Sequence, residues 1–291
     1  MLAIRLSELL DQEAASAFLS GVVAAGRPAN AYLFQGPVGV GKCTAALAFA
    51  RALMCERGRQ LGDSCGTCAA CVKSGALQHP DLKFLFPVSG EERALDDTVN
   101  ESLEGLRTDP LFVFQYEKAA SIRLSMTREL LRELAFKPYE AELRVVVVRD
   151  ADRMREDQYS ALLKSLEEPG ASSVWILTTS REARLPATIR SRCQTVRFRA
   201  LSEETIGSVL QAQADVRVKQ AHLLAALAAG SLTRALVLRG IDAEAERDQA
   251  LALLDPARKG DGAGLWSAAQ KFMNFGRTGR EKLRRSIEYH Q

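Results

Sequence analysis

The most constraining stretch in this sequence is Gly36-Pro37-Val38-Gly39-Val40-Gly41-Lys42. It fits G-x-x-x-x-G-K, and its flanks decide how it is read. Ala31–Gln35 (AYLFQ) is a short apolar run of strand formers, and Cys43–Met54 (CTAALAFARALM) has helical spacing and strong helix formers. A glycine-rich turn between a strand and a helix is a phosphate-binding loop. Its backbone N–H groups wrap phosphate oxygens, and the helix N-terminus adds a positive dipole end. Gly36, Gly39 and Gly41 supply the loop, and Lys42 is expected to reach the outer phosphates. Cys43 and Thr44 open the helix. The alternative is a glycine-rich turn without a ligand.

The rest of the chain reads as an α/β unit followed by helices. Residues 4–25 predict an amphipathic helix or helix pair, and 82–88 (LKFLFPV) a strand. Thr127–Ala135 is a predicted helix. Arg144–Val148 (RVVVV) and Val174–Thr179 (VWILTT) are continuous apolar runs, the pattern of strands buried on both faces of a parallel sheet. Asp157–Glu168 is a predicted helix stopped by Pro169-Gly170, and Thr195–Phe198 is a last short strand. From about residue 201 the pattern is all helix. A domain boundary is expected near residue 200, with a softer break at 239–242. Between 89 and 120 there are eight acidic and three basic residues, which predicts a surface insertion, partly helical or a solvated loop.

The metal half of the phosphate site departs from the pattern twice. The position after the lysine normally carries a Ser or Thr hydroxyl for Mg²⁺, and here it is Cys43. Magnesium takes oxygen ligands, so a thiol is a poor replacement. Thr44 is turned about 100° around the helix and does not step in. A P-loop ATPase also needs a carboxylate at the end of the neighbouring buried strand. That position is Arg149. Asp150 follows, and alternation along an extended strand end predicts that it faces away from residue 149. ATP binding is thus compatible with the sequence, but magnesium-dependent hydrolysis is expected to be weak or absent. Arg149 is itself a candidate for neutralising phosphate charge.

Four of the six cysteines fall within residues 55–71: Cys55, Cys65, Cys68 and Cys71. Four thiolates at these spacings suit a closed tetrahedral zinc site with a structural role. Arg51, Arg57, Arg59 and Lys73 are candidates to offset its net charge. Four free cysteines or a redox pair are the alternatives. The N-terminus is charged from Arg5 and has no long apolar core, so neither a signal peptide nor a disulfide framework is expected. A cytoplasmic location is expected.

The net charge is only +3, from 39 basic and 36 acidic residues, and aromatics make up 6%. Those values exclude a globally basic nucleic-acid coat and disfavour a stacking-rich single-strand binder.

Several segments now stand in a recognisable order: NAYLFQGPVGVGK, the Cys₄ cluster followed by HPDLKF, VVVVRDADRM, SALLKSLEEPG, VWILTTS, LPATIRSRC and GSLTRAL. The sequence resembles the bacterial DNA polymerase III clamp-loader ATPase family, of the AAA+ class, densely over residues 4–240. The resemblance implies a P-loop AAA+ domain over 1–200, with the cysteine module and the acidic insertion inside it. A helical lid follows over 201–240 and a helical collar over 241–291, which looks short or truncated. It implies a hetero-oligomeric ring with subunits of gamma/tau and delta types, working with the sliding clamp and primed DNA in DNA replication.

Within the Ser191-Arg192-Cys193 motif, the resemblance makes Arg192 the arginine finger that reaches a neighbouring subunit's ATP. Thr179 matches a polar position that reads the γ-phosphate, with a buried backbone-bonded threonine as the alternative. The motor subunits' lid arginine falls at Thr233, and that role is not carried to Arg234. Departures in cis with the finger retained in trans imply a scaffold that helps its neighbour fire. Two rivals stay open: an ATP-hydrolysing gamma/tau-type motor, and a stand-alone zinc-bearing nucleic-acid binder. The second would use a basic stripe such as Lys271, Arg277, Arg280, Lys282, Arg284 and Arg285. His79 has no evident chemistry, and the HPD triplet is read as shaping a turn.

Overall fold

The computed structural model describes residues 4–89, 95–109, 111–114, 120–167, 173–240, 256 and 258–273. Most of the expected collar, the basic stripe beyond residue 273, the Pro169-Gly170 helix stop and parts of the acidic insertion lie outside these residues.

Five strands form one parallel sheet: β1 (Ala31–Gln35), β2 (Leu82–Leu85), β3 (Arg144–Val148), β4 (Ser173–Thr179) and β5 (Gln194–Arg197). Their spatial order is β2-β3-β4-β1-β5. The register places Ala31 opposite Trp175 and Gln35 opposite Thr179. Side chains alternate across the sheet with period two. Tyr32, Phe34, Val145, Val147, Val174 and Ile176 therefore join one core, and Ala31, Leu33, Val146, Val148, Trp175 and Leu177 the other. Burial on both faces explains why β3 and β4 lack the alternating polarity of a half-exposed strand.

Helix α1 (Glu13–Ala25) and α2 (Lys42–Met54) pack on the first face. Ten of the thirteen residues of α2 are buried, including Lys42 and Arg51. Two short helices follow, α3 (Gly58–Leu61) and α4 (Ala69–Gly75). The acidic insertion contains α5 (Leu95–Thr108), and α6 (Leu124–Glu133), α7 (Glu156–Glu167) and α8 (Ala187–Arg190) belong to the sheet's second half. Beyond β5 the described elements are helices: α9 (Glu203–Ala214), α10 (Val218–Leu227), α11 (Leu232–Arg239) and α12 (Gly262–Met273). Ser202 and Ser231 cap α9 and α11, accepting hydrogen bonds from the N–H groups of Thr205 and Arg234. Ile206, Leu210, Leu224 and Leu238 from these helices join the first core. No helix among the described residues is long and apolar enough to cross a membrane.

Three boundaries differ from the sequence reading for local reasons. Strand β2 stops at Leu85, because Pro87 has no N–H for a ladder; Val88 instead makes an isolated antiparallel bridge to Ser121. Residues 4–25 divide into a 3-10 turn (Leu6–Glu8) and α1, with Asp11 in a left-handed conformation between them. Buried Gln12 there bonds the backbone of Arg199 through both ends of its amide. Helix α6 begins at Leu124 and ends at Glu133.

The HPD triplet does more than shape a turn. Asp81 is fully buried and accepts from the N–H groups of Tyr139, Glu140 and Ala141 at 2.7, 2.8 and 2.9 Å. Its own N–H donates to His79 Nδ1. Arg144, buried beside it at 3.8 Å, donates to the carbonyls of Glu133 and Lys137. Together they fold the α6–β3 connection against the sheet edge.

Burial pushes the Asp81 carboxyl upward, but the three N–H donors outweigh it and hold its pKa below the ordinary value. A depressed folded-state pKa gives stability that is present above the unfolded value and lost as pH falls through the folded one. Asp81→Ala is expected to cost about 3–5 kcal/mol, because it orphans three donors and leaves Arg144 uncompensated. The variant is also expected to lose part of the acid-side slope of stability. Urea titrations between neutral and acid pH check both effects.

Candidate nucleotide site and metal centre

The loop after β1 sits at the C-terminal edge of the sheet, where α/β proteins place ligands. Gly39 and Gly41 have φ of 76° and 90°, a left-handed conformation that glycine adopts without strain. Gly39 also has no room for a side chain: a Cβ would lie 2.2 Å from Ser231 Oγ. Leu232 N–H donates to the Gly39 carbonyl at 3.0 Å, so α11 is docked on the loop. Between them lies a cavity of about 500 Å³ lined by Gly39, Gly41, Lys42, Cys43, Thr44, Arg149, Asp150 and Thr233. Gly36 lies outside that lining and packs against the Phe198 carbonyl instead.

Lys42 Nζ is turned back, donating to the carbonyls of Gly36 and Pro37. Burial lowers its pKa to about 8, with Asp150 and Asp152 opposing, so it remains mostly charged at neutral pH. Burial pushes the Cys43 thiol up to about 11, which keeps it neutral. Arg149 lies with its guanidinium 3.7 Å above the Phe114 ring, and its Nε is 3.4 Å from Asp150 Oδ2.

The expected opposite facing of residues 149 and 150 is therefore wrong. Asp150 is left-handed (φ 48°, ψ 52°), not extended, because the strand has ended and a 3-10 turn begins. The alternation rule stops where the strand does. For Thr179 the structure bears out the alternative, a buried threonine bonded to backbone. It is fully buried, donates to Asp152 Oδ1 at 2.8 Å and accepts from the Arg181 N–H. Its neighbours Thr178, Ser180 and Arg181 line the cavity. Arg181 pairs with Asp152 at 2.8 Å.

The acidic insertion is not simply a solvated loop. Leu111, Phe112, Val113 and Phe114 cover one side of the cavity. The signal was visible as an apolar run within an otherwise acidic segment. A neutral thiol, a guanidinium and a carboxylate already paired to that guanidinium do not fit a magnesium site.

Arg192 follows α8, is exposed and lies outside this cavity; its guanidinium donates to the Thr188 carbonyl at 2.9 Å. Cys193 packs on the second core, and burial pushes its thiol up to about 12.

The cysteine cluster comes together as predicted. The Sγ atoms of Cys55, Cys65, Cys68 and Cys71 all lie within 4.8 Å of one another. The Cys65–Cys71 and Cys68–Cys55 sulfur separations are 3.9 and 4.0 Å. Tetrahedral zinc with bonds near 2.3 Å needs about 3.8 Å between sulfurs. The N–H groups of Cys65 and Cys68 point at the sulfurs of Cys55 and Cys65, both at 3.3 Å. The donor set therefore fits a tetrahedral soft cation.

Of the cations expected nearby, only Arg51 and Arg57 serve the cluster. Arg51 donates to the Cys71 carbonyl and Arg57 to Thr67. Arg59 and Lys73 pair with Glu142 and Glu140 instead. Arg5, which the sequence reading missed, donates to the Cys65 carbonyl from 60 residues away. Burial pushes the Cys71 thiol up. At Cys65, burial is overcome by the N–H groups of Thr67 and Cys68 and by Arg57, which hold it well below the usual thiol range.

A phosphate loop between a strand and a helix, at the C-terminal edge of a five-stranded parallel sheet with helices docked on it, defines an α/β P-loop protein. The chain belongs to the family described as DNA polymerase III, delta subunit, whose model matches residues 11–202. It is 31% identical over 199 residues to the DNA polymerase III subunit delta' of Bacillus subtilis, covering 68% of this chain and 50% of that protein. With the delta' subunit of Pseudomonas aeruginosa it shares 32% over 165 residues, 57% of this chain and 42% of that one. With the gamma/tau subunit of Mycobacterium tuberculosis (strain H37Rv) it shares 30% over 204 residues, 70% of this chain and 30% of that protein. The matches thus span half or less of these relatives.

Proposed function

We propose that the chain is a delta-prime-type subunit of a DNA polymerase III clamp loader. In this reading the AAA+ domain (1–200), lid (201–240) and collar (241–291) take a place in a ring with gamma/tau- and delta-type subunits. The ring loads the sliding clamp onto primed DNA. This subunit holds a structural zinc on Cys55, Cys65, Cys68 and Cys71, binds ATP without hydrolysing it, and donates Arg192 to a neighbour's ATP.

One observation carries the scaffold half of the reading: the Arg149–Asp150 ion pair at the end of β3, next to the neutral Cys43. Where a motor subunit needs a free carboxylate and a hydroxyl for Mg²⁺, this chain has neither. The position of Arg192, exposed and outside the chain's own cavity, suits a group that acts on another subunit.

The competing reading is a gamma/tau-type motor, supported by the 30% identity to such a subunit. ATP turnover by the isolated chain with Mg²⁺ separates the two. We expect no turnover above background. Turnover that Lys42→Ala abolishes would make the chain a motor.

A further inference from the structure

We propose that the P-loop cavity takes a nucleoside di- or triphosphate without a divalent cation, the Arg149 guanidinium neutralising the phosphates in the metal's place. This inference rests on the reading of the loop as a nucleotide site and specifies how that site holds its ligand.

The charge around the cavity comes from side chains that are already placed. Lys42, Arg149, Arg153 and Arg181 line it, and Asp150 is the carboxylate among the lining residues. Asp152 stands behind, paired to Arg181. Among the described lining residues, the cations outnumber the carboxylates. Arg149 is held from two sides, by the Phe114 ring and by Asp150, so little ordering remains when a phosphate arrives. A guanidinium offers five N–H donors in a planar fork that matches phosphate oxygens, and the Asp150 pair engages its Nε. Lys42 Nζ needs only to exchange two loop carbonyls for phosphate oxygens.

The same arrangement disfavours Mg²⁺. A cation bridging the phosphates would sit against Arg149, with a thiol at Cys43 as the nearest helix ligand. Free ATP also carries more negative charge than its magnesium complex, so a cationic cavity attracts it more strongly.

The test is ATP binding to the full chain by calorimetry, in excess EDTA and in excess Mg²⁺. We expect binding in EDTA to be at least as tight as in Mg²⁺. Arg149→Ala is expected to weaken the EDTA affinity about tenfold, the loss of one charge-assisted contact. The double variant Cys43→Ser, Arg149→Asp restores oxygen ligands at both metal positions and is expected to bind ATP only with Mg²⁺. If that variant fails to fold in thermal melts, Arg149→Ala decides alone. Wild-type binding that requires Mg²⁺, or an Arg149→Ala affinity equal to wild type, overturns the inference and leaves the nucleotide site standing. Binding in neither condition overturns the nucleotide site itself, and this inference with it.

Discussion

Arg192→Ala is expected to slow hydrolysis at one neighbouring ATP site of the assembled complex by about 10³-fold or more. That is the scale on which a guanidinium supplied in trans stabilises a transferring phosphoryl group. The side chain is exposed after α8, and its hydrogen bond to the Thr188 carbonyl is one that water can replace. Surface substitutions of this kind usually change stability by no more than about 0.5 kcal/mol. Subunit association, followed by sedimentation, is expected to be unchanged, as is ATP affinity at the neighbouring site. Arg192→Lys keeps the charge but loses the planar fork, so it should recover only a small part of the rate. Single-turnover hydrolysis resolves the affected site from the others. A rate equal to wild type removes Arg192 from the mechanism.

The second large effect concerns the cysteine module. Zinc analysis is expected to find about one ion per chain and, in Cys71→Ser, almost none. Structural zinc contributes about 10–16 kcal/mol to small zinc modules at neutral pH, and a substituted ligand forfeits much of that. Cys71 is fully buried in α4, and the cluster is separate from the two cores that flank the sheet. Damage should therefore concentrate in α3 and α4. Limited proteolysis is expected to open the chain between about residues 56 and 75, while the sheet still melts cooperatively. Arg51 extends the damage inward. It is 4% exposed on α2 and bonds the Cys71 carbonyl, so its charge is left buried when the cluster's negative charge is lost. A strong chelator should reproduce the phenotype, and added zinc should reverse it. Wild-type protein that carries no zinc and melts identically to Cys71→Ser sinks the metal assignment.

Legibility followed the range of the interactions. The phosphate loop could be read because glycine, lysine and a helix start must be adjacent in sequence to build it. The four cysteines could be read because their spacing is short, and the buried strands because a run such as Arg144–Val148 is apolar throughout. Thr179 stayed open between two readings because a threonine at a strand end is compatible with either face of the register. Its partner, Asp152, is 27 residues away. Asp150 was misread because alternation holds only while the chain stays extended. Arg5, Gln12 and Asp81 were invisible as structural groups, since their partners lie between 58 and 187 residues away.

By itself, then, the sequence determined the α/β class, the phosphate loop, the cysteine quartet and the absence of the usual magnesium ligands. Each of these is a local pattern written in neighbouring residues. Only the tertiary structure decided that Arg149 is captured between Asp150 and Phe114, that part of the acidic insertion covers the cavity beside the phosphate loop, and that α11 rests on Gly39. Those outcomes depend on which distant segments the sheet order brings together, and on the side of the strand end to which each chain turns.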